Sequence, residues 1–180
     1  MNWYVLRTIA GQEEKSLLLL QNYFKDIQFI LPKRRLSWRK NGVLLEVIKP
    51  LFIGYLFVSA NDKRVLELDH WMRNYNVDIW FVKMDKSIIP LVREEQHLIK
   101  RLMSNGDIIE KSELIKAGDK VKIISGPLVG LEGIVEKHPN RNRRITIKVI
   151  INGEEKRVEL EGVFLETQYN RYGLQSGGNG

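Results

Sequence analysis

The 180-residue chain has no cysteine. Disulfides, thiolate metal sites and cysteine nucleophiles are excluded, and the composition suits a reducing, cytoplasmic setting. It also lacks any run of about 18 apolar residues, so no transmembrane helix and no membrane partner are expected. The opening MNWYVLRTIAG is apolar but too short for a signal peptide, and Glu13 and Glu14 follow at once. Histidine is scarce: His70, His97 and His138 stand alone, without metal-ligand spacing. The acidic pairs Glu13-Glu14 and Glu94-Glu95 read as first-turn carboxylates at the positive ends of helices. No nucleophile–base pattern stands out, so neither an enzyme nor a metal or cofactor site is expected. Acid is in deficit, with 29 Lys/Arg against 22 Asp/Glu and a net charge of +7. Such an excess favours a polyanionic partner.

What is present falls into two textures that meet near Gly106. Upstream, strand and helix signals alternate. Trp3–Ile9 reads as a strand, and Glu13–Lys25 as a helix with Leu17, Leu20 and Phe24 at helical spacing. Asn41-Gly42 is a hairpin signal, because a type I′ turn needs positive φ at both positions. Leu51–Val58, LFIGYLFV, reads as a central strand apolar on both faces. Alternation along it puts Ile53, Tyr55 and Phe57 on one face, and Phe52, Leu56 and Val58 on the other. Asp62–Met72 reads as a helix capped near Asn61 or Asp62, Val77–Val82 as a strand, and Leu91–Met103 as a third helix. Residues 107–116 read as a linker.

Downstream the pattern is short strands. Asp119–Ile124 alternates, with Val121 and Ile123 inward and Lys120 and Lys122 outward. Ile134-Val135 belong to the next strand. Arg144–Ile151, RITIKVII, is strongly β-forming, and Asn152-Gly153 signals a second hairpin before Glu155–Leu160. Close-spaced strands over residues 117–168 make a small β-barrel. The Gly/Ser/Asn-rich end, 169–180, is expected to be disordered. The fold class is α+β: an N-terminal α/β sandwich on an antiparallel sheet, then an SH3-like barrel.

Two basic stretches carry candidate chemistry. In KRRLSWRKNG, Lys33, Arg34, Arg35, Arg39 and Lys40 surround Trp38; the cations suit phosphates, and the indole suits stacking. The bland alternative is a solvated hairpin with Trp38 folded back. In HPNRNRR, His138, Asn140, Arg141, Asn142, Arg143 and Arg144 lie between two strands. Arginine forks onto guanine or phosphate, and asparagine offers both donors and acceptors, so the loop could read an RNA hairpin, with Lys122 and Lys148 adding charge. Residues 116–166 hold ten Lys/Arg against eight Asp/Glu, so the positive charge there is local. A solvated loop is the alternative. Just upstream, Gly126, Gly130 and Gly133 fit a turn, a bulge and a corner. A phosphate-cradling loop does not fit, since no Lys-Ser or Lys-Thr follows.

GDKVKIISGPLVGLEGIVEK, residues 118–137, resembles the KOW motif of NusG-type transcription elongation factors and of some ribosomal proteins. Trp3-Tyr4-Val5-Leu6 with Ala10-Gly11 and Glu13, then LFIGYLFV, then Ile89-Pro90-Leu91, resemble the NusG N-terminal (NGN) domain in the right order over residues 1–106. The resemblance implies a monomeric factor. Its NGN domain would grip the clamp helices of RNA polymerase through Phe52, Ile53, Tyr55 and Phe57. Arg34, Arg35, Trp38, Arg39 and Lys40 would lie near upstream DNA. Two departures stand out. Ile53 replaces the usual proline. Asn152 stands where housekeeping members carry an aromatic that helps bind ribosomal protein S10 or Rho. The pattern is more similar to the LoaP and RfaH groups of antiterminators, and a LoaP-like factor recognising nascent leader RNA fits best. The β-branched run 145–151 disfavours a helical form of the barrel, so no fold switch is expected. A housekeeping NusG and, more remotely, a ribosomal KOW protein remain as alternatives.

Overall fold

The computed structural model describes residues 1–117, 120–139 and 143–165. The N-terminal part runs β1 (Asn2–Thr8), α1 (Glu13–Tyr23), β2 (Gln28–Ile30), β3 (Lys33–Lys40), β4 (Val43–Pro50), β5 (Tyr55–Ala60), α2 (Asp62–Asn74), β6 (Ile79–Phe81), β7 (Lys83–Met84), β8 (Ser87–Ile88) and α3 (Arg93–Leu102). The C-terminal part runs β9 (Ile108–Ile109), β10 (Ser112–Ala117), β11 (Lys120–Ser125), a short 3-10 turn (Glu132–Ile134), β12 (Val135–Lys137), β13 (Arg144–Ile151) and β14 (Glu154–Phe164). This is the expected mixed α+β architecture.

A four-stranded antiparallel sheet in the order β2-β5-β1-β6 forms the N-terminal core. Its two faces are both buried, as the doubly apolar β1 and β5 require. Tyr4, Leu6, Leu56 and Val58 pack with Leu20 of α1 and Val65, Leu68 and Met72 of α2. Trp3, Val5 and Phe57 pack on the other side with Ile99 and Leu102 of α3. The start of α2 is set by Asn61, whose side chain accepts a hydrogen bond from Arg64 N at 2.9 Å.

The run Leu51–Val58 departs from the expected continuous strand. Gly54 takes φ +76°, a conformation that favours glycine, and only Tyr55–Ala60 is extended. A buried carboxylate holds this corner: Glu13 Oε1 accepts from Gly54 N at 2.7 Å and Gly11 N at 3.1 Å. The first-turn Glu13 is therefore a clamp as well as a dipole partner. The turn also undoes the expected alternation. Ile53 points outward, 62% exposed, whereas Phe52 joins Tyr55 and Phe57 on one side.

The C-terminal strands after β9 form one sheet, β11-β10-β14-β13-β12, with β10 parallel to β14. Ile145, Ile147, Val149 and Ile151 of β13 are buried while Lys148 and Ile150 face out, as a period of two demands. Residues 107–116 differ from the linker expected there. β9 pairs in parallel with β3, Lys33 N donates to Asp107 O at 2.8 Å, and the C-terminal sheet begins at Ser112. A chain that is polar on average can still supply strand hydrogen bonds, which composition does not reveal.

Of the three glycines near residue 130, Gly126 is the demanding one. It has φ +92°, and a Cβ there would lie 2.5 Å from Lys111 O. Gly130 also has positive φ, at +69°, beside the Arg101 guanidinium. Gly133 differs from expectation. It lies in the short 3-10 turn with open space around it, and nothing local requires glycine.

Candidate nucleic-acid interface

The two parts of the chain pack together, and one of the contacts between them joins the two basic stretches to β14. Arg34 donates to Glu159 O of β14. Ser37 of β3 donates its backbone N–H to Glu161 Oε2 at 2.6 Å and its hydroxyl to Glu161 Oε1. Arg144 Nη2 returns a bond to Ser37 O at 2.7 Å, with Nη1 3.9 Å from Glu161. Glu161 is buried, so these bonds offset the cost of hiding its charge. Burial pushes the Arg34 guanidinium below its ordinary value, an effect that Glu159 opposes and Arg144 reinforces.

Around this fastening lies a cleft of about 480 Å³ lined by Trp38, Arg39 and Leu44 from the β3–β4 hairpin and by Arg143, Arg144 and Glu159 from the C-terminal sheet. An adjoining cavity of about 400 Å³ shares Ser37, Leu44 and Arg143 and adds Arg35. Arg35 is held there by Glu110, with Nε 2.9 Å from Oε2, and by Glu46 at 3.5 Å. Trp38 is 39% exposed, so it is not folded away into the domain. Arg143 takes φ +57°, unusual for a side-chain-bearing residue, and its carbonyl accepts from Gly162 N at 2.9 Å.

The structure thus gathers Trp38, Arg39, Arg143 and Arg144 at one place, with Arg35 next door. Lys40 is exposed at the hairpin end and His138 is exposed beyond β12. Lys122 is exposed on β11, and Lys148 pairs with Glu155 at 3.4 Å. None of these four lines the cleft. Asn140, Arg141 and Asn142 lie outside the described residues. Ser37, Leu44, Glu159 and Glu161 were not singled out in the sequence. Alternation along β14 puts Glu161 on the face opposite Leu160, where an acid normally meets water. Only the approach of β3, 124 positions away, buries it.

The expected polymerase face is also covered. Phe52, Tyr55 and Phe57 are buried in a hydrophobic cluster that runs on into the C-terminal core through Leu114, Ile123 and Ile147. The Tyr55 ring has Arg7 on it at 4.9 Å and Lys156 of β14 at 5.1 Å. Hydrogen bonds to Glu154 and then Tyr55 push the Lys156 ammonium above its ordinary value. The second hairpin leans on α3: Glu95 Oε1 accepts from Gly153 N at 3.3 Å, and Asn152 is buried with neither amide atom hydrogen-bonded among the described residues.

Comparison with known proteins agrees with this architecture. Residues 1–105 match the family described as "Transcription termination factor nusG". The chain is 28% identical to the termination/antitermination protein NusG of Thermus thermophilus, over 89% of this chain and 95% of that one. It is 30% identical to NusG of Streptococcus pyogenes serotype M3, over 88% and 92%. A solved structure described as "Domain interaction in Thermotoga maritima NusG" superposes with a TM-score of 0.51 at 25% identity, covering 89% of this chain and 93% of that one. With more than half of its length matched by the family, this chain belongs to the NusG family of transcription termination/antitermination proteins.

Proposed function

We propose that this NusG-family protein is a specialised elongation factor that promotes processive antitermination. Its N-terminal domain binds the RNA polymerase clamp helices, and its C-terminal unit, a KOW barrel, binds a hairpin of the nascent leader RNA. The observation that carries the reading is the pair Arg143 and Arg144 at the start of β13. Arg143 is held in a strained conformation at the mouth of a positively charged cleft, and strain of this kind is kept where surrounding structure and function require it. The second hairpin supports the same choice, because its tip offers a buried asparagine instead of an exposed aromatic for a protein partner.

In this reading Ile53 and Tyr55 meet the polymerase, and Phe52 and Phe57, which are buried, form the core behind them. Ile53 already faces solvent, and Tyr55 becomes available when Lys156 moves off its ring. Lys40, exposed at the hairpin end, is the cation left for upstream DNA, while Arg34 and Arg35 hold the protein's own acids and carbonyls. The relatives named above are termination/antitermination NusG proteins, which favours the second reading of a housekeeping adapter for ribosomal protein S10 or Rho.

Transcription with purified bacterial polymerase separates the two. On templates with a terminator behind a candidate leader hairpin, the protein should raise read-through only when the hairpin is transcribed. Equal effects with the hairpin deleted, or enhanced Rho-dependent termination, would favour the housekeeping reading.

A further inference from the structure

The two basic stretches lie in different parts of the chain, yet they form one cleft. Three arginines and one glutamate line it, a local charge of +2. Among the described residues Arg39 and Arg143 have no ion-pair partner, whereas Arg144 is committed to Ser37 and Glu161. The adjoining cavity balances Arg35, Lys111 and Arg143 with Glu46, Glu110 and Glu161. An anion is therefore favoured in the first cavity and not in the second. Trp38 and Leu44 give the first cavity an apolar wall that remains exposed. A flat aromatic beside unpaired arginines suits a nucleotide, whose base needs a π-face and whose phosphate needs a cation. The volume of about 480 Å³ lies within the usual span of small-ligand sites, roughly 300–1,000 Å³. Glu161, Arg34 and Arg144 fix the two walls relative to each other, so the site is assembled before any ligand arrives.

We propose that this cleft holds unpaired nucleotides flanking an RNA hairpin, with a base stacked on Trp38 and a phosphate between Arg39 and Arg143. The site is built from both domains. The inference rests on the reading of the C-terminal unit as RNA-binding and adds that the N-terminal hairpin completes the site. Because neither domain alone supplies both walls, flank binding and the docking of the two domains reinforce each other.

The test uses the full chain and a labelled RNA hairpin that it selects, with and without a four-nucleotide unpaired flank. In the wild type the flank should tighten binding on the order of tenfold, as one stacked base does. Trp38→Ala and Arg39→Ala should remove that gain and leave the bare hairpin bound as before. Trp38→Phe should restore part of it, which a merely structural tryptophan would not do. If both alanine variants keep the gain while Arg143→Ala loses hairpin binding, the composite site is wrong and the loop reading stands. If the wild type binds no hairpin at all, both fall. Equal competition by single-stranded DNA of the same sequence, or by an acidic peptide, would overturn RNA as the occupant.

Discussion

The protein has two hairpins with nearly the same turn and opposite fates. Asn41-Gly42 takes φ 51° and 81°, and Asn152-Gly153 takes 54° and 75°. Each turn flanks one strand rich in branched apolar residues, β4 in the first hairpin and β13 in the second. The first hairpin leaves Val43, Leu44, Leu45 and Ile48 exposed, whereas the second buries Ile145, Ile147, Val149 and Ile151. Local sequence chooses the turn, because both need a left-handed pair that Asn-Gly tolerates. Tertiary context chooses what the strands are for. The buried set is a core; the exposed set, beside Trp38 and Arg39, is surface of the kind that partners use.

That difference predicts a large asymmetry in stability. Ile147→Ala should cost about 2–5 kcal/mol in denaturant unfolding, because its site is fully packed. Val43→Ala, at a position 60% exposed, should change stability by no more than about 0.5 kcal/mol. Comparable losses at the two sites would mean that the first hairpin is also core.

The fastening between the hairpin and β14 comes next in size. Glu161→Ala strands the Ser37 N–H and hydroxyl, and should cost about 1–3 kcal/mol. It should also loosen the domains, seen as new amide exchange along β3 and β14. Unchanged exchange there would show that the contact at Ser37 does not hold the two parts together.

The turns themselves give a smaller and more discriminating pair. Gly42→Ala and Gly153→Ala both place a Cβ in open space at positive φ, so each should cost roughly 1–2 kcal/mol. Near-equal values support a purely local origin. A much larger loss at Gly153 would show that its seat on α3 matters to the turn.

The smallest effect is electrostatic. A hydrogen bond from Lys156 at 2.5 Å holds the Glu154 carboxyl below the usual carboxylate range. That contribution is complete above the ordinary range and is lost as pH falls through the folded value. Both groups are largely exposed and screened, so Glu154→Gln should melt only slightly lower at neutral pH, and the deficit should vanish in strong acid.

Much of the fold was legible because periodicity reports burial directly. β13 reads as a strand over its full observed length, and the three helices lie where the apolar spacing puts them. The run Leu51–Val58 misled because an all-apolar stretch carries no period, and one glycine inside it reverses the faces. Residues 107–116 misled because strand pairing in β9 depends on a partner about 75 positions away. For the site, residue type marked Trp38, Arg39, Arg143 and Arg144 separately. Nothing in a single sequence says that Ser37 meets Glu161, so their convergence was invisible.

The central claim is that the C-terminal unit reads RNA. The most direct measurement is selection by the full chain from a pool of structured RNA hairpins at low and high salt, with Arg141, Arg143 and Arg144 intact or changed to alanine. The account predicts that one RNA class is chosen at both salts and that the triple variant loses the choice. Weak, unselective binding that disappears at high salt would be counterion release alone, and would contradict it.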